Sequence, residues 1–234
     1  METTGIHTFK RIYVWEGPVR AFHWINAFSL LALAVTGVII ANPPAIMSGA
    51  EATNRYWFGI TRFVHFAAAY IFTLGMVYRL CWAFLGNKYA NWRVFFPYTK
   101  KGLHNLGHVI KHDILLMNPK NSDFREIAVG HNALAAMAYS GLFILMAIQI
   151  FTGFGLYADN ATWWLPKLFA WVVPMLGGDA AARLVHHIVM WLIVIFSVIH
   201  IYLVLYHDWL EGRGEVSSMF GGYKFIRKER VKKD

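Results

Sequence analysis

Four stretches of the chain stay apolar for longer than the ~20 residues a helix needs to cross a bilayer, and polar residues collect between them. They run over 20–42, 58–85, 131–157 and 183–207. Each is too long for a strand and lacks strand-like alternation, so each predicts a transmembrane helix. The expected fold class is all-α: an integral membrane protein built as a four-transmembrane-helix bundle, with 1–234 as a single membrane domain. Asn42, Pro43 and Pro44 stop the first helix. That helix carries Arg20 and His23 near its start and lacks a convincing small-residue cleavage site, which predicts a retained helix rather than a signal peptide.

Charge supplies the orientation. The chain has 22 Lys and Arg against 13 Asp and Glu, a net charge of +9. Lys10, Arg11 and Arg20 lie at the N-terminal end, and Lys88, Arg93, Lys100, Lys101, Lys111, Lys120 and Arg125 lie in the loop 86–130. The tail 208–234 adds Arg213, Lys224, Arg227, Lys228, Arg230, Lys232 and Lys233, whereas the two other loops offer only Arg55 and Lys167. The positive-inside rule places both termini and loop 86–130 in the cytoplasm. Because the basic residues follow topology, no nucleic-acid partner is expected; the partner they imply is the lipid bilayer.

A single cysteine, Cys81, excludes an internal disulfide, a CxxCH haem attachment and a four-cysteine cluster. It is expected as a small core residue. Loop 158–182 carries Trp163, Trp164 and Trp171, suited to an outer interface or a partner. In loop 86–130, His104, His108 and His112 recur every four residues. No convincing carboxylate or cysteine completes a metal site there, and a membrane-surface helix is the simpler expectation.

The chemistry lies in the histidines of the apolar stretches. Arg20–His23, Arg62–His65 and Arg183–His186 all read Arg-x-x-His, each at the start of a predicted membrane helix. Residues i and i+3 share a helix face, so each Arg stands one turn nearer the surface than its His. His186 and His200 are separated by about 1400° of helical turn and roughly 21 Å of rise, and so face one seam at two depths; His187 points elsewhere. With the predicted topology, His65 and His186 fall near the outer surface, and His23 and His200 near the inner. Two-histidine sites on facing helices are how a bundle core holds b-type haem. Arg62 and Arg183 are candidates for the propionates of an outer haem, and Arg20 and Arg79 for those of an inner one. Gly37, near the outer end, leaves room beside the first helix; Thr36-Gly37 recurs as Thr152-Gly153, and haem clearance and ordinary small-residue packing both account for it. At the inner end of the fourth helix, Tyr206, His207 and Asp208 are either a proton path or a solvated helix end.

The stretches Arg20–Trp24 with Thr36-Gly37, and Arg183–Trp191 with Phe196 and His200, resemble the two signatures of the b-type cytochrome subunit of nickel–iron hydrogenases. The likeness takes in Arg62–His65, Tyr78–Tyr89 and Gly221–Tyr223; the wider superfamily, including formate dehydrogenase cytochrome subunits, matches these strings less well. The resemblance implies a bacterial inner-membrane, multi-pass subunit that lacks the hydrogen-activating site. It would take electrons from the hydrogenase small subunit, which sits with the large subunit on the periplasmic face, and pass them to quinone. On this likeness His23, His65, His186 and His200 fall on the ligand positions of two haems b, His65/His186 outer and His23/His200 inner. A cytochrome b subunit of another respiratory dehydrogenase and a free-standing quinol cytochrome b remain alternatives. A histidine-relay transporter has no need of ligands matched in depth, and a di-iron enzyme needs them clustered on one side.

Overall fold

The computed structural model describes residues 8–44, 56–94, 133–212 and 214–227. In chain order these form strand β1 (Phe9–Tyr13), helices α1 (Gly17–Ala41), α2 (Trp57–Leu85) and α3 (Ala133–Tyr157), short helices α4 (Trp164–Lys167) and α5 (Val172–Met175), helix α6 (Asp179–Glu211), helix α7 (Glu215–Gly221) and strand β2 (Tyr223–Arg227). Four helices are long and apolar enough to span a membrane, α1, α2, α3 and α6. The chain is thus an all-α, multi-pass membrane protein, with a small strand pair added. Only 11% to 33% of each span's most apolar window is buried inside the protein. Side chains such as Phe28, Phe63, Leu74 and Ile195 stand exposed, which suits hydrocarbon and would be a liability in water. His104, His108 and His112 lie outside the described residues, as does the His207 side chain.

Most of the α6 boundary was hidden by its own polarity. The helix starts at Asp179, four residues before the apolar run, after Gly177 and Gly178 at φ 92° and 114°. Asp179 supplies the negative charge that a helix N-terminus favours, and pairs with Arg183 at 2.6 Å. Cys81 corrects an expectation: it is exposed rather than in the core. It shares the outward apolar face of α2 with Val77 and Phe84, at the three- to four-residue spacing of one helix face.

The described residues fall into two compact units, one drawn from Ala21–Leu80 and Phe143–Val198, the other from Met1–Arg20, Cys81–Leu142 and Ile199–Asp234. The first is a bundle of the four membrane helices. Thr36 meets His65 and Asn26 meets Gly75, so α1 and α2 run antiparallel. Phe66 stacks on Tyr157 at 4.4 Å and Tyr70 lies 5.3 Å from Phe154, which sets α3 antiparallel to α2. Thr152 reaches His186, and Gly37 approaches Met190, closing the ring of four through α6. Beyond α3, Trp163 donates its indole N–H to the Tyr70 hydroxyl at 3.1 Å, while Trp164 and Trp171 stay exposed.

The second unit is tied by its tails. β1 and β2 pair antiparallel, with Phe9 opposite Arg227 and Tyr13 opposite Tyr223. Val14 and Trp15 donate their backbone N–H groups to the Gly222 carbonyl at 2.8 and 3.1 Å. Gly222 has φ 84°, and a Cβ there would stand 2.6 Å from the Trp15 carbonyl oxygen; only glycine suits that turn. The Glu16 carboxylate accepts from Trp82 Nε1 at 3.1 Å and from the Asn87 N–H at 2.9 Å. Lys224 is buried, paired with Glu215 at 2.7 Å, and lies over the Trp15 ring, so this tail charge is structural. Asp208 accepts from the Glu215 N–H at 2.6 Å and Tyr202 stacks on Tyr206, which gives two of the helix-end polar residues local work.

Candidate haem site

A histidine in an apolar span needs a polar partner, since hydrocarbon supplies none. His65 finds one across the bundle: its Nδ1 lies 2.8 Å from Thr36 Oγ1 on α1. His186 finds the same one: its Nδ1 lies 2.8 Å from Thr152 Oγ1 on α3. Each threonine sits on the helix preceding the ligand helix, and each is followed by a glycine. The glycines make the approach possible. A Cβ at Gly37 would stand 3.5 Å from His65 Cε1, and one at Gly153 would stand 3.1 Å from His186 Cε1. Both glycines face the imidazole rings themselves at close range. The same added Cβ on Gly37 would stand 3.6 Å from Met190 Sδ, one turn past His186, so His65 and His186 belong to one end of one bundle.

His186 carries a further contact. Its Nε2 lies 3.1 Å from Gln149 Nε2, one turn before Thr152 on the same face of α3. Gln149 Oε1 is buried with no hydrogen-bond partner among the described residues, and sequence reasoning missed this residue. The available signal was a lone amide inside the third apolar stretch, where a polar group marks function. His187 lies 6.4 Å from His186, ring centre to ring centre.

The other predicted residues are distributed as follows. His23 belongs to the bundle unit and sits at 5.0 Å from Trp24, edge-on. His200 belongs to the unit of the tails and is exposed. Arg79 is in the bundle unit, 3% exposed, with its guanidinium 6.0 Å from the Phe22 ring centre, near the limit of cation–π attraction. Buried Asn26 lies close by in sequence register: its amide donates to the Phe22 carbonyl at 2.9 Å and it packs where a Cβ on Gly75 would be. A guanidinium inside a span is costly to bury. Arg20 donates to the Phe220 carbonyl. Arg62 is exposed and reaches over Phe66, and Arg183 is engaged by Asp179 in an exposed pair.

Among the described residues no cluster of three or more His, Cys, Asp or Glu side chains gathers; the donors come as histidines held singly on facing helices. Two imidazoles, each hydrogen-bonded at Nδ1 to a threonine and backed by a glycine, are donors that would suit a haem iron. The donor set therefore fits b-type haem.

Comparison with known proteins agrees with that chemistry. The sequence profile of prokaryotic cytochrome b561 matches residues 14–222. A probable nickel–iron hydrogenase B-type cytochrome subunit of Cupriavidus necator is 36% identical over 225 residues, covering 94% of this chain and 89% of that protein. The corresponding proteins of Azotobacter vinelandii and Escherichia coli K12 are 35% identical over 224 residues and 32% identical over 217, covering 94% and 91% of this chain and 90% of each relative. With its four spans and a match across nearly its whole length, the chain belongs to the prokaryotic cytochrome b561 family of nickel–iron-hydrogenase-type B cytochromes: it is a membrane-embedded electron-transfer cytochrome that carries b-type haem.

Proposed function

We propose that this cytochrome holds two haems b and carries electrons from a periplasmic nickel–iron hydrogenase to the quinone pool. When bound, haem b supplies a one-electron iron couple at each of two depths. His65 and His186 hold the outer one, and His23 and His200 the inner. The observation that carries this reading is the repeated Thr-Gly backing of His65 and His186 within one end of the bundle. Ordinary helix packing has no reason to treat two histidines alike.

The remaining residues take roles that follow from their chemistry. Arg62 and Arg183 stand one turn from their histidines on exposed ground, where a guanidinium fork suits a carboxylate; Arg183 would exchange Asp179 for a propionate. Arg79, buried in its span, and Arg20 take the same role toward the inner site, where a guanidinium fork suits a carboxylate. The apolar walls of the bundle exclude water from the outer histidines. Exposed Trp164, Leu168 and Trp171 form a face suited to the hydrogenase small subunit, with the large subunit behind it, since aromatic residues are favoured in interface cores.

Both termini lie in the cytoplasm, on this reading. The pairing of β1 with β2, together with the bonds from Trp82 and Asn87 to Glu16, supports a shared side for the tails and the start of loop 86–130. Quinone is then reduced near the cytoplasmic surface, with protons taken up on the opposite side from their release.

The test is the reduced-minus-oxidised spectrum of the purified chain, with haem quantified per polypeptide. Two b-type haems are expected. His65→Leu and His186→Leu should each abolish the same haem, while His23→Leu and His200→Leu should each abolish the other. Loss of different haems from His65→Leu and His186→Leu would dismantle the pairing.

A further inference from the structure

We propose that Thr36 and Thr152 are positioning residues that fix the tautomer of the outer axial histidines and hold the reduction potential of their haem down. The inference rests on the outer His65/His186 assignment above.

A threonine hydroxyl has one proton to give and lone pairs to offer. Thr36 Oγ1 lies 2.6 Å from the Ala32 carbonyl oxygen and 3.3 Å from that of Leu33. Both are acceptors only, so the hydroxyl proton is committed to the backbone of α1, the i−4 bond typical of threonine in helices. What Thr36 can offer His65 across 2.8 Å is therefore a lone pair, and Nδ1 must bring the proton. The same accounting holds on the other side. Thr152 Oγ1 lies 2.7 Å from the Ile148 carbonyl oxygen and 3.3 Å from that of Gln149, so at 2.8 Å from His186 Nδ1 it too can only accept.

Protonation at Nδ1 leaves the lone pair of a neutral imidazole on Nε2, the form that ligates a metal. At His186 a second contact selects the same tautomer. The Gln149 side-chain nitrogen, a donor only, lies 3.1 Å from Nε2, which must then be accepting. Turning the amide over would place an oxygen there and require a proton on both imidazole nitrogens, a cation in an apolar span. The tautomers are therefore set by threonines whose own protons are already spent.

An acceptor on the Nδ1–H of an iron-bound imidazole also makes the ring a stronger donor. A stronger donor favours the ferric over the ferrous state, so each Thr–His bond lowers the potential. Two such bonds on one haem act in the same direction.

The experiment uses the full chain, with haem per polypeptide measured first and a spectroelectrochemical titration second. Thr36→Val and Thr152→Val keep the shape and remove the threonine acceptor, leaving only the backbone contact to Leu33 at His65; Thr36→Ser and Thr152→Ser restore it. Each valine variant should make one haem easier to reduce, by up to about tenfold in its reduction equilibrium for one lost hydrogen bond, or about 59 mV for a one-electron couple. The second haem should hold its potential, and the serine variants should stay at the wild-type value. Valine variants with both haems and both potentials unchanged would overturn the proposal. If valine costs a haem, retention of that haem by serine supports the bond, and equal loss in both variants overturns it in favour of packing. Failure of the ligand assignment looks different: the wild-type chain would lack a second haem, or the two outer histidine variants would lose different ones.

Discussion

The α1–α2 half of the bundle and the α3–α6 half solve one problem with the same parts and different fittings. Thr36 and Gly37 back His65; Thr152 and Gly153 back His186, both Thr–His contacts at 2.8 Å. The fittings diverge around that shared core. Three residues before the threonine stands Leu33 in one half and Gln149 in the other; four before the arginine stands Phe58 in one and Asp179 in the other. The glycine clearances also differ, 3.5 Å at Gly37 and 3.1 Å at Gly153. What both halves keep is what an axial imidazole requires, an acceptor for one nitrogen and room for the ring. What differs adjusts one half alone, so substitutions there should separate the two.

The largest separation is expected at the glycines. At 3.5 Å a new methyl makes ordinary contact, and Gly37→Ala should cost less than about 1 kcal/mol, offset by alanine's helix preference. At 3.1 Å the His186 ring must give way, and it is fixed at Nδ1 by Thr152. Gly153→Ala should therefore cost about 1–3 kcal/mol as an overpacked contact, and lower haem content with it. Thermal unfolding in detergent and haem per polypeptide measure both. Equal loss in the two variants would mean that the halves are constrained alike.

Much of this was legible in the chain. Four long apolar runs give four spans, because hydrocarbon admits few other solutions, and Arg-x-x-His spacing brought out His65 and His186. The Thr-Gly repeat was visible too, but its object was not. A contact from Thr36 to His65 joins residues on different helices, and no periodicity within either helix encodes it. Pairing of β1 with β2 was out of reach for the same reason: Phe9 and Arg227 are partners from opposite ends of a chain whose tails read only as basic. Lys224 looked like topogenic charge and is instead buried against Glu215 and Trp15. The Asp179 start of α6 was missed because polar first turns do not raise hydropathy.

A smaller separation is expected from Gln149. Its amide lies 3.1 Å from His186 Nε2, the nitrogen that a haem iron would take, so the two compete for it. The bond is worth about 0.5–1.5 kcal/mol, and it opposes ligation through that nitrogen. Gln149→Leu makes this half resemble its partner and should slow haem loss to a competing apoprotein, by about three- to tenfold in equilibrium terms. The reverse change, Leu33→Gln, should weaken retention at the same haem from the other side. No change in either variant would show that Gln149 leaves His186 at no cost.

The smallest effect should come from Asp179. Its pair with Arg183 is close, 2.6 Å, but both side chains are 60% exposed, and i,i+4 pairs of this kind are worth about 0.3–0.5 kcal/mol. The α2 counterpart has Phe58 in the equivalent position and forms its helix regardless. Asp179→Asn should thus leave the unfolding temperature almost unmoved, with the small loss that remains disappearing at high salt as exposed charges are screened. It should also free the Arg183 guanidinium, and if Arg183 serves a haem carboxylate, Asp179→Asn will raise haem retention slightly while Arg183→Gln lowers it. A large loss of stability from Asp179→Asn would instead mean that the polar first turn anchors α6, and that the two halves differ in how their ligand helices are started.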